Sequence, residues 1–221
     1  MTRKKKVRTR KQKILIRSIL ALLLLALLVL VVFGDHIRTP EAALRAAERA
    51  CGAAETEVIA QKEANGFTFY LSKNESTLLV TCFKPWIDPE AVLVGAVDLT
   101  NPDPSTVDPD GPLLMDDIAY ADPDSSWNCS LLVGKINLEG VSTVRGYRYE
   151  DQSSEDADLI QADGDTYFWL WEEAMSTTEW IDGMKFNISN IRGFDRLAFL
   201  EQDGFQLYSI ILPYSAFSTA G

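Results

Sequence analysis

Val58-Ile59-Ala60-Gln61-Lys62-Glu63-Ala64-Asn65-Gly66-Phe67-Thr68-Phe69-Tyr70-Leu71 decides the fold. Asn and Gly tolerate the positive φ that a tight hairpin turn demands. Phe67, Phe69 and Leu71 alternate with Thr68 and Tyr70, the period of two that marks a strand with one buried face. Val58–Gln61 and Phe67–Leu71 are therefore read as a hairpin, followed by strands at Leu78–Phe83 and Val92–Leu99. Upstream, Thr39-Pro40-Glu41 opens a helix, with Thr as N-cap, Pro in the first turn and an acid near the positive end of the dipole. Leu44, Ala47 and Cys51 share a face of this helix, and Gly52 stops it. Residues 39–99 thus read as a helix plus an antiparallel sheet.

Residues 100–126 change character. They hold Pro102, Pro104, Pro109, Pro112 and Pro123, seven aspartates and no base, and are read as an acidic linker or loop. Inside them, Leu113-Leu114-Met115 and Ile118-Ala119-Tyr120 are expected to tack the segment onto the fold. Strand patterning returns over 127–213, at Ser130–Ile136, Val141–Tyr149, Thr166–Trp171, Lys185–Ile191, Leu197–Glu201 and Phe205–Leu212. A short helix is expected around Glu172–Ile181, and 214–221 form a tail. Short strands separated by Gly turns point to an antiparallel sandwich or curled sheets, and the whole to an α+β class.

The charge of the 221-residue chain, −11, is split along its length. Residues 1–17 carry nine Lys/Arg and no acid, whereas the rest carries 12 Lys/Arg against all 32 Asp/Glu, a net −20. Ser18–Gly34 has no charge, and residues 14–33 make a helix of about 30 Å, the thickness of a hydrocarbon core. This predicts a transmembrane helix over 14–33 with membrane lipid as its partner. The cationic leader over 1–17 sets the N-terminus in the cytoplasm and the C-terminal portion outside the cell membrane. A cleaved signal peptide competes, with Val32 and Gly34 at −3 and −1 of a cut before Asp35. The basic block is explained by topology, so no nucleic-acid partner is expected.

Side chains for chemistry are sparse. His36 is the only histidine, and it sits two residues beyond the apolar run, which leaves serine, cysteine and zinc chemistry without a base or ligand set. Glu172, Glu173 and Asp182 are the carboxylates considered for glycosidase-type acid–base work, with solvated surface charge as the simpler reading. Asp108, Asp110 and Asp117 follow the spacing of a calcium loop, although Thr106 occupies its leading position and the closing acid is a short Asp. Tyr167, Trp169 and Trp171 share one strand face. They are either core or an exposed aromatic platform for a glycan or protein. Cys51 and Cys82 are a candidate disulfide clipping helix to strand, and three cysteines leave at least one unpaired.

The stretch Thr39-Pro40-Glu41-Ala42-Ala43-Leu44 just beyond the apolar run, followed by the hairpin Ala64-Asn65-Gly66-Phe67-Thr68-Phe69-Tyr70, resembles small membrane-anchored extracytoplasmic proteins of Gram-positive bacteria over residues 1–85. The resemblance implies a cell-surface setting and no catalytic residues. The expectation is a non-enzymatic single-pass protein whose outer portion binds an envelope protein as scaffold or accessory factor. The alternatives are a ligand- or cation-binding sensor, or a secreted binding domain after signal cleavage. No cofactor is expected apart from the calcium candidate.

Overall fold

In the computed structural model the described residues are 10–33, 36–100, 113–122, 125–175, 177–181, 184–188 and 193–212. Helix α1 spans Arg10–Phe33 and α2 spans Pro40–Cys51. Among the described residues fourteen strands follow: β1 Glu57–Ala64, β2 Phe67–Lys73, β3 Thr77–Phe83, β4 Leu93–Asp98, β5 Leu113–Ala121, β6 Trp127–Ile136 and β7 Thr143–Tyr147. The rest are β8 Ser154–Asp156, β9 Asp158–Ala162, β10 Asp165–Met175, β11 Thr177–Ile181, β12 Met184–Ile188, β13 Arg196–Leu200 and β14 Gln206–Ile211. Every strand pairing is antiparallel.

Two faces of one sheet organise the core. The middle sheet, ordered β5-β6-β10-β9, is covered on one side by β1-β2-β3-β4 and on the other by β14-β13-β7-β8. Tyr167, Trp169 and Trp171 point to the first neighbour, with Trp127, Cys129, Leu131 and Val133. Phe168 and Leu170 point to the second, with Leu132 and Met115. A strand covered on both faces reads as a continuous apolar run and loses its alternation, and β6 and β10 have that character. Phe69 stands at the first interface, its ring 4.8 Å from Trp171, 5.5 Å from Tyr120 and 6.1 Å from Trp127. At the second interface Phe168 meets Phe199 edge to face.

The opening hairpin forms as its residues dictate. Asn65 and Gly66 have φ of 48° and 78°, and Ala64 pairs with Phe67 across the turn. The same solution recurs at Asp163-Gly164 between β9 and β10. Helix α2 is capped as its ends predict. Thr39 Oγ1 accepts from the Ala42 amide, and Gly52 takes the left-handed conformation with φ 72°.

The helix packs on the outer face of the first sheet through Ala43, Leu44 and Ala47, whereas Cys51 is exposed. Beneath it lies a polar clamp with no sequence signature. The buried Glu48 carboxylate accepts from the Thr56 amide at 2.6 Å and the Thr56 hydroxyl at 2.8 Å. Arg45 donates to both of its oxygens, and the Thr56 hydroxyl donates on to Ser72 of β2. Each buried oxygen thereby finds a donor, which is the condition for burying a carboxylate at all.

Nearby Thr81 is fully buried, and its hydroxyl has no hydrogen-bond partner among the described residues. Thr81→Val keeps the shape and removes an unsatisfied group, and is expected to stabilise the protein by about 1–2 kcal/mol. Chemical denaturation reads this directly, and a loss of stability on this change would show that the hydroxyl is bonded.

Three expectations change. Residues 113–121, placed within the 100–126 linker or loop, form β5, a full strand of the middle sheet. Ile118 and Met115 supply one side chain to each of the two cores, which is why an acidic segment is held in register. The helix expected around Glu172–Ile181 is absent: β10 continues to Met175 and β11 follows. Pairing of Met175 with Trp127 extends the ladder past the apolar run and overrides the helix propensity of Glu172-Glu173-Ala174-Met175. Finally, among the described residues no helix is long and apolar enough to cross a membrane, the side chains of residues 10–14, 16, 27 and 29–33 of α1 lying outside that set. The fold alone therefore does not show the span expected over 14–33.

Candidate functional site

Strand β9 pairs with β10 only from Asp165 to Trp169. Beyond that point the edge of the middle sheet carries a cleft of about 460 Å³. Lys62 of β1 lines one side, Trp171, Glu172 and Glu173 of β10 the floor, and Arg148 and Asp151 of the β7–β8 connection with Glu155 of β8 the other. Four acids and two bases, drawn from three separate parts of the chain, meet there.

Successive residues of an extended strand point to opposite sides, so Glu172 and Glu173 do not face one another. Glu173 sits on the aromatic side and accepts from two indoles, Trp171 Nε1 at 2.9 Å and Trp127 Nε1 at 3.1 Å. Glu172 sits on the other side, where the Gly193 amide donates to it at 2.9 Å and the Arg148 guanidinium lies 3.4 Å away. Arg148 also reaches Glu155 at 3.5 Å and stacks over the Phe194 ring at 4.0 Å. Lys62 lies 5.5 Å above the Trp171 ring and 3.9 Å from Asp158. Glu172 and Glu173 are therefore held by donors on opposite faces of β10, although both line the cleft. Asp182 lies outside the described residues. The arrangement offers exposed charge of both signs around one aromatic edge, which suits recognition of a polar or cationic group.

The predicted site residues are placed as follows. Tyr167, Trp169 and Trp171 are 1%, 2% and 5% exposed. The platform reading is corrected to core: the first sheet covers their face, and only the edge of Trp171 reaches the cleft. Asp108 and Asp110 lie outside the described residues. Asp117 is in β5, where its carboxylate accepts from the Ser130 hydroxyl at 2.8 Å. Desolvation against the sheet, with Glu172 nearby, raises its pKa, the reverse of what a cation ligand needs. Among the described residues no cluster of His, Cys, Asp or Glu suits a metal ion.

The candidate disulfide between Cys51 and Cys82 is corrected as well, since all three cysteines are free thiols. Cys82 pairs with Phe69 and so shares its inward face, while α2 and Cys51 lie on the opposite face of the same sheet. Burial pushes the Cys82 thiol up to about 11 and raises Cys129 also, so both are packing groups and not nucleophiles.

Lys62, Arg148, Asp151 and Glu155 escaped the sequence reading. Lys62 belongs to the β1–β2 hairpin and the other three to the β7–β8 hairpin, and only their meeting at one sheet edge distinguishes them from other surface charges. No protein-family model matches the chain, and neither curated proteins nor solved structures give a match.

Proposed function

We propose that this chain is a single-pass membrane protein, N-terminus cytoplasmic, whose β-rich C-terminal portion works outside the membrane by binding a partner. One observation carries the anchor. In α1, Leu15, Ile19, Leu20, Leu22, Leu23, Leu24, Leu25 and Leu28 are all 49–65% exposed. At 100° per residue these positions circle the helix, so its whole circumference is apolar and water is a poor solvent for it. The nine cations of residues 1–17 before the uncharged stretch 18–34 and the net −20 after it supply the orientation.

The binding role is drawn from the cleft, where fixed carboxylates and two bases surround an aromatic edge, and from the acidic exterior, which attracts basic protein faces. Alkaline extraction of membranes, combined with intact mass, tests the anchor. The chain is expected to resist extraction and to retain its first 17 residues, and release as a species starting at Asp35 would overturn it. A photocrosslinker at Asp151, on the cleft rim, is expected to trap one defined protein. Uniform non-specific adducts would overturn the binding role.

A further inference from the structure

The chain leaving α1 is fastened at once to one loop of the first sheet. Ile37 donates to the Ile87 carbonyl at 2.9 Å, and the Trp86 amide donates back to the Ile37 carbonyl at 2.9 Å. Both isoleucines are buried, so this is a packed joint. Trp86 itself is turned outward, 52% exposed, with the Arg38 guanidinium 4.5 Å above its ring. Its φ is +70°, a region that bulky residues with a Cβ adopt only when their surroundings impose it. An exposed tryptophan held in a disfavoured conformation, where Gly or Asn would be more stable, has no folding rationale.

Its position supplies one. Ile37 is four residues beyond Phe33, the end of α1, so the joint lies within about 14 Å of the helix end. The headgroup region that flanks a hydrocarbon core on each side is of the order of 5–8 Å thick. Tryptophan prefers that region, since its ring is amphipathic and its N–H can be hydrated, and a guanidinium stacked on it can reach lipid phosphates. Lys84, three residues after Thr81 on the same loop, adds a second cation, stacked at 4.9 Å over Phe67. Asp88 and Glu90 follow in the short turn at Pro89–Ala91, so net charge does not draw the loop to anionic lipid, and the ring is the anchor.

We propose that the Trp86 loop, with Arg38, inserts into the outer interface of the bilayer that α1 crosses and seats the β-rich portion against the membrane. This inference rests on the anchor reading of α1. The test uses the full chain reconstituted in phosphatidylcholine vesicles whose acyl chains are brominated close to the headgroup. In a Trp180→Phe background the tryptophans other than Trp86, namely Trp127, Trp169 and Trp171, are buried in the core, so bromine is expected to remove about one quarter of the emission, the share of one tryptophan among four. Trp86→Gly relieves the strained φ, keeps the fold, and is expected to abolish the quenching. A chain that floats with the vesicles but is unquenched, or is equally quenched in Trp86→Gly, overturns the seating alone. A chain that does not float with the vesicles overturns both the seating and the anchor.

Discussion

Phe69→Ala is expected to destabilise the protein by about 3–5 kcal/mol, the range for truncating a fully buried Phe. For a chain of this size that lowers Tm by about 6–20 °C. The ring stands with Phe67 of the same strand in an aromatic cluster completed by Tyr120, Trp127 and Trp171 of the middle sheet. Its removal leaves a cavity bounded by two rigid sheets, which have little freedom to collapse into it. The probe matters as much as the size. Trp127, Trp169 and Trp171 report on residues 127–213, whereas the mutation lies in residues 39–99. Fluorescence and far-UV circular dichroism are expected to shift together. A tryptophan transition left at the original temperature would mean that the two stretches unfold separately and that the shared core does not couple them.

Gly134→Ala is expected to be comparably severe, about 3 kcal/mol or more, for the opposite reason. Gly134 lies near the end of β6, flanked by Met115 of β5 and Phe168 of β10. A Cβ built there would collide with the backbone carbonyl of Leu114, and would stand 2.7 Å from the Phe168 ring and 2.8 Å from the Met115 Cβ. A flexible side-chain tip could yield, but a carbonyl held in the β5–β6 ladder can move only if the ladder moves. The expected result is a large loss of Tm and weakened protection of the β5 amides in hydrogen exchange. A variant with unchanged stability would show that β5 is not packed as described.

How much was legible in the chain depended on the range of the forces involved. The Asn65-Gly66 turn and the caps of α2 were predicted to the residue, because each is fixed by the φ or hydrogen-bond needs of two or three neighbours. The strand β5 was not, because its acids and flanking prolines read as a loop. It is a strand only because β6 offers an unpaired edge and the two cores receive Ile118 and Met115. Glu172-Glu173-Ala174-Met175 failed likewise, a helical tetrapeptide recruited into a ladder by Trp127, Asn128, Cys129 and Ser130 across from it.

The same division holds for the candidate site. Tyr167, Trp169 and Trp171 stood out in the chain as large aromatics, yet burial is a property of what covers a strand, and the first sheet covers them. The cleft gathers Lys62, Arg148 and Glu172 from positions far apart, so no local pattern marks it. Glu48 shows the reverse case: it looked like any surface helix glutamate until Thr56 and Ser72 enclosed it.

What the amino-acid sequence determined by itself were properties summed over neighbours: the split of charge, the apolar run before Gly34, the hairpin turns and the helix caps. These depend on composition and on steric rules acting within a few residues. The tertiary structure alone decided which strands are central, which aromatics are hidden, that Cys51 and Cys82 lie on opposite faces of one sheet, and that Trp86 is bonded to Ile37. Those depend on long-range pairing, where a residue's role is set by neighbours that the chain brings from a distance.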